Sequence, residues 1–205
     1  HNPDTWDRAG GNLRSVDEVL AQALRYRSYW GEKGGITVSG GEALLQIRSL
    51  TELFRKAKAL GINTCLDTSA QPFSRETTNF SAFEELMNYT DLILLDIKHI
   101  DSNAHKQLTG WKNENILDCA RYLSDIKKPV WIRHVLVPGI NDDDDSLYKL
   151  RKFLDSLGNI ERVEVLPYHD LGVYKWEQLG LPYALSEVKP PTEENLLHAR
   201  KILTE

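Results

Sequence analysis

Two cysteines, Cys65 and Cys119, are all that 205 residues contain, and neither has a CxxC or histidine-spaced partner. That excludes a disulfide framework and a zinc site of familiar spacing, and it points to a reducing, cytoplasmic setting. Long apolar runs are missing as well. Nothing approaches the roughly 20 residues of a membrane span, and the polar N-terminal stretch is unlike a secretory signal, so no membrane partner is expected. Nor is there an excess of positive charge. Acidic residues outnumber basic ones 30 to 25, and the net charge of −5 is spread along the chain apart from "NDDDD" at Asn141 to Asp145. A nucleic-acid footprint is therefore not expected. Repeats, low-complexity tracts and linkers are also absent, so residues 1–205 read as a single domain with one core.

What is present is an alternation of periods. "VDEVLAQALRYRSYW" places apolar residues at helical spacing behind Ser15 as N-cap, and "GITVSGG" then switches to a short β-branched run ended by glycines. "LLQIRSLTELFRKAKALG" returns to helical period and closes on Gly61. The same unit recurs through the strands "NTCLDT", "LILLDIK", "VWIRHVLV" and "RVEVLPY", with helices near "FSAFEELMNY", "NENILDCARYLSDI" and "DDSLYKLRKFLDSLG" and a last helix in "TEENLLHARKIL". Five strands alternating with helices make an α/β protein, and their near-continuous apolar runs predict strands covered on both faces.

The strand exits carry the chemistry. They read "SGGE", "DTS", "DIK", "HVLVPG" and "PYHD". Polar groups at the ends of several strands favour a curved or partial (β/α) barrel over an open doubly wound sheet, which gathers its ligand contacts at one switch point. Strand parity sharpens the site. Leu94, Asp96 and Lys98 share one face and Ile93, Leu95 and Ile97 the other, so Asp96 and Lys98 are sent to the mouth. Asp67 shares a face with Cys65 and comes close to Asp96 if their strands are neighbours. Two carboxylates and an ammonium suit acid–base catalysis, a bound cation, or recognition of a ligand carboxylate, and the sequence does not rank these. Arg133 lies on a face with Trp131 and Val135, either entering the mouth or pairing with an acidic neighbour. "NDDDDSL" reads as helix initiation rather than metal binding. "SGGE" in isolation is no more than a tight turn, and His169 gains weight from following Pro167 on a strand exit.

Taken in order, "HNPDTWD", "SGGEALLQ", "CLDTS", "LLDIKHID", "VWIRHVLVPGINDDDDS" and "LPYHDLGVYKW" resemble the radical S-adenosylmethionine enzymes, and among them those that activate glycyl-radical enzymes. The resemblance spans essentially the whole chain. It implies a partial (β/α)6 TIM-like barrel, S-adenosylmethionine, a [4Fe–4S] cluster and a 5′-deoxyadenosyl radical that abstracts a glycine hydrogen. The implied protein substrate is a glycyl-radical enzyme, pyruvate formate-lyase, within anaerobic glucose metabolism, and the implied reductant is flavodoxin-like. It assigns His1, Gly40, Gly41, Glu42, Asp96, Ile97, Lys98 and His169 to cofactor binding. Asp67, Thr68 and Asp96 would hold a monovalent cation, and Arg133, Asn141 and Asp142 would line the substrate path.

The family's cluster cysteines, CxxxCxxC directly before "HN", are absent, and Cys65 and Cys119 do not reproduce that spacing. The first regular element is a helix, and five strands are visible where the family has six. The expectation is thus an N-terminally truncated barrel whose first strand and cluster loop are missing, inactive by itself. Ala70 stands where relatives commonly have glycine, which puts the loop shape in question. Two other readings remain open: a barrel aldolase or lyase using Lys98 as a Schiff base, and a non-catalytic binding domain.

Overall fold

The computed structural model describes residues 11–32, 34–77 and 79–205; His1 lies outside them. Among the described residues the five strands are β1 (Gly35–Val38), β2 (Asn63–Thr68), β3 (Leu92–Asp96), β4 (Val130–Leu136) and β5 (Ile160–Pro167). They form one parallel sheet in the order β1-β2-β3-β4-β5. Because each strand pairs with the next in sequence, no order reversal exists among the described residues to make a switch point. Crossovers between parallel strands are right-handed as a rule, which in this order puts the connecting helices on one face. The other face is left as the concave interior of an open barrel.

The helices are α1 (Val16–Leu24), α2 (Ile47–Ala59), α3 (Phe80–Met87), α4 (Ser102–Thr109), α5 (Glu114–Asp125), α6 (Asp144–Asp155), α7 (Val173–Gln178) and α8 (Glu193–Thr204). Ser15 caps α1 in a reciprocal capping box with Glu18, and Asp143 caps α6 through Ser146 N at 2.9 Å, so the aspartate run does start a helix. Two helices escaped the periodic reading. α4 is mostly polar, held between its Asp101 cap and Gly110 at φ 88°, and α7, six residues long, is too short for a helical period to show.

The core lies between sheet and helices. Leu66, Ile93, Leu95, Ile97 and Ile132 are fully buried against the helix layer, together with Phe54 of α2. Truncating one of these to alanine costs about 2–5 kcal/mol. The expectation of strands covered on both faces is corrected here. Burial alternates strictly along β4, with Val130, Ile132, His134 and Leu136 buried and Trp131, Arg133 and Val135 only partly so, because the inner face borders a cleft. At Ala70 the chain adopts φ 54°, the left-handed conformation that glycine prefers, so the alanine keeps the turn at the β2 exit at some strain.

Candidate functional site

A cleft of about 660 Å³ opens at the carboxyl ends of the strands. Each strand exit contributes: Gly40 and Gly41 after β1, Asp67 to Ser69 at β2, Asp96 and Lys98 at β3, Arg133 and Val135 on β4, and Leu166 to His169 at β5. Gly40 takes φ 141°, a conformation that side-chain-bearing residues rarely adopt, which lets the turn after β1 run close to the cleft.

Register explains the charge arrangement. Asp96 pairs directly with Arg133, whereas Asp67 is opposite Leu94, one inner-face position earlier. Arg133 therefore lies between the carboxylates, with Nη1 3.0 Å from Asp67 and Nε 3.4 Å from Asp96, while Lys98 Nζ is 3.1 Å from Asp96. Two carboxylates and two cations balance to zero. Asp67 and Asp96 are only 17% and 15% exposed, so the pairings matter more than at an open surface. Burial pushes the Asp67 carboxyl up, against the pull of Arg133 and with added repulsion from Asp96. For Arg133, burial disfavours the charge but Asp96 and Asp67 outweigh it, and the net shift is upward.

Glu42 does not line the cleft. Its Oε1 accepts from Thr68 Oγ1 at 2.6 Å and Leu44 N at 3.0 Å, and its Oε2 from Ser69 Oγ at 2.6 Å and Ser69 N at 3.0 Å. It ties the glycine turn to the β2 exit. Thr68 is correspondingly turned to Glu42 and not to the Asp67–Asp96 pair, and among the described residues no group of three or more His, Cys, Asp or Glu could hold a metal. Ile97 likewise stands apart as a cofactor contact. Its side chain is fully buried on the helix side, its N–H donates to Arg133 O at 3.0 Å and its carbonyl accepts from His134 Nδ1 at 2.8 Å.

Of the substrate-path candidates, Arg133 is in the cleft and Asn141 is not. Asn141 is 1% exposed with its amide saturated by backbone groups, and Asp142 accepts from Gly139 N in the turn just before it. Residues missed in the sequence include Tyr168 and Tyr183, whose hydroxyls meet at 3.0 Å on the cleft wall. Burial, then the Tyr168 hydrogen bond, pushes the Tyr183 phenol up. Only the "PYHD" exit hinted at Tyr168; nothing local points to Tyr183.

The family model of the Radical SAM superfamily matches residues 1–150. The chain belongs to the radical SAM superfamily. The pyruvate formate-lyase-activating enzyme of Streptococcus mutans is 52% identical over 207 residues, 99% of this chain and 78% of that one. The enzyme of the same name from Staphylococcus epidermidis is 52% identical over 201 residues, 97% and 80% respectively. A domain of pyruvate-formate lyase-activating enzyme from Bacteroides vulgatus superposes with TM-score 0.68 at 28% identity, covering 83% of this chain and 93% of that one. Streptococcus suis SuiB, 17% identical with TM-score 0.70 over 97% of this chain and 41% of its own, shares the fold.

Radical SAM enzymes use S-adenosylmethionine and a [4Fe–4S] cluster, and the residues of this chain fit the two unequally. A cleft of this size with neutral, alternating charges suits a zwitterionic cofactor. The cluster finds no thiolate set. Cys65 sits half-buried on β2 and Cys119 fully buried on α5, and burial pushes both thiols up, away from the thiolate a metal needs.

Proposed function

We propose that this chain binds S-adenosylmethionine in the strand-exit cleft and is the barrel of an activating enzyme whose protein substrate is a glycyl-radical enzyme, pyruvate formate-lyase. Relatives of that name at 52% identity support the reading. The observation that carries it is the convergence of Gly40, Gly41, Asp96, Lys98 and His169 on one cleft. When bound, S-adenosylmethionine supplies the radical chemistry that removes a hydrogen atom from a substrate C–H bond. The chain's own task is binding and orientation. Lys98 and Arg133 face the ligand carboxylate, Asp96 and Asp67 its cationic groups, and the glycine turn admits a close backbone approach.

Three finer parts rest on less: a single domain over residues 1–205 on length and composition, a cytoplasmic setting on cysteine usage, and a flavodoxin-like reductant on the resemblance. A fourth, a monovalent cation at Asp67 and Asp96, is supported by the carboxylate pair itself and requires Arg133 to yield its place between them. A Schiff-base aldolase is less well supported, since Lys98 is engaged by Asp96 and not isolated in an apolar pocket.

Calorimetric titration of S-adenosylmethionine tests the cofactor reading. Lys98→Ala and His169→Ala should each weaken binding about 10- to 100-fold, the effect of losing a charged or hydrogen-bonding contact. Unchanged affinity in both variants overturns it.

A further inference from the structure

The last ladder bond of β3 is Ile97 N to Arg133 O, at 3.0 Å, after which the chain leaves the sheet. The next four carbonyls, from Ile97 to Ile100, would then be orphaned in the interior, where an unmet acceptor is costly. Side chains take them all. His134 Nδ1 lies 2.8 Å from Ile97 O, Asn141 Nδ2 donates to Lys98 O at 2.8 Å, and Asn113 Nδ2 donates to His99 O and Ile100 O at 2.9 Å each. All three are 1–2% exposed.

Asn141 differs from the other two in what it joins. Besides Lys98 O, its Nδ2 donates to Val135 O at 2.9 Å, and its Oδ1 accepts from Val137 N at 2.7 Å. Lys98, Val135 and Val137 all line the cleft. One buried planar amide thus sets the β3 exit against the β4 exit, at the residue whose ammonium enters the site.

We propose that Asn141 is a positioning residue for ligand binding: by gripping the Lys98 carbonyl it fixes the origin and direction of the Lys98 side chain in the cleft. Rotation of that peptide would swing the ammonium away from Asp96, and small displacements of a charged contact carry large losses. Asparagine is required because the site needs two donors and one acceptor in a plane. Aspartate keeps the shape but turns a carboxylate towards two carbonyl oxygens.

This inference rests on the cleft being the S-adenosylmethionine site, and a double-mutant cycle separates the two claims. Affinity for S-adenosylmethionine is measured by calorimetry for the parent chain, Asn141→Asp, Lys98→Ala and the double variant, with thermal melts alongside. Asn141→Asp should weaken binding at least tenfold in the parent and less than twofold once Lys98 is alanine, while lowering the melting temperature equally in both backgrounds. Asn113→Asp, which strips the neighbouring carbonyls, should destabilise comparably and leave affinity within twofold. Equal weakening in both Lys98 backgrounds, or equal weakening by Asn113→Asp, overturns the positioning role. If Lys98→Ala itself binds like the parent, the cofactor reading fails first. Should Asn141→Asp not fold, Asn141→Ser takes its place in the cycle; if that does not fold either, the amide determines the fold alone and the proposal falls.

Discussion

The guanidinium of Arg133 reaches across β3 to the carboxylate of Asp67, 3.0 Å away, so residues of β2 and β4 meet over the strand between them. Strands lie about 4.8 Å apart, and only a side chain as long as arginine spans two such intervals. Without it, two largely buried carboxylates would face each other with only Lys98 to offset them.

Arg133→Met should therefore raise the Asp67 pKa beyond its already elevated position, read by carboxyl carbon shifts in an NMR titration. The sign follows from the direction of the shift. A carboxyl raised in the folded state contributes stability that is full below its unfolded value near 3.9 and lost as pH rises through the folded value. The variant should be about 1–2 kcal/mol less stable than the parent at neutral pH, a figure reduced from the buried-pair range because the site is partly exposed. The deficit should shrink on acidification. Equal denaturant midpoints at pH 4 and pH 7 would contradict this.

Potassium provides the matching test of the cation reading. If a monovalent ion joins Asp67 and Asp96 when ligand is present, potassium should tighten S-adenosylmethionine binding relative to a bulky organic cation at equal ionic strength. Arg133→Met should heighten that preference by removing the competitor. Identical affinities in both salts, in both proteins, would mean that no monovalent ion joins the carboxylates.

His134 supplies an acid-sensitive element in the helix-facing layer. Burial, with Lys98 adding repulsion, pushes its imidazole down to about 4, and among the described residues its Nε2 has no hydrogen-bond partner. A histidine lowered in the folded state lets the unfolded chain bind the extra proton, so stability falls as pH drops from about 6.5 towards 4. The size is about 3 kcal/mol, from roughly 1.4 kcal/mol per pKa unit. His105, also lowered chiefly by burial, adds in the same direction. His134→Gln should flatten urea-denaturation stability over that range; an equally steep decline would show that other groups govern it.

Local pattern determined the elements and their faces. Period 2 in "LILLDIK" sends Asp96 and Lys98 inward and buries Ile93, Leu95 and Ile97, as the burial along β3 shows, because alternation is a property of one strand's own backbone. Ser15, Asp143 and Gly61 marked helix ends for the same reason: capping bonds span only a few residues. The mostly polar α4 left no such periodic trace.

Tertiary structure decided who meets whom. Parity sent Asp96 to the mouth and left Arg133 either entering it or pairing with an acidic neighbour; only the register across β2, β3 and β4 inserts the guanidinium between Asp67 and Asp96. Asn141 and Asp142 read alike in a polar loop, yet one is buried against three backbone groups and the other caps a turn. "SGGE" was legible only as a tight turn; besides the local Leu44 N, the donors that Glu42 ties to it, Thr68 and Ser69, lie 26 and 27 residues further on. A side chain's type is written in the sequence. Its partners are set by which carbonyls and amides the fold leaves unpaired beside it, and those are fixed only when distant strands come into register.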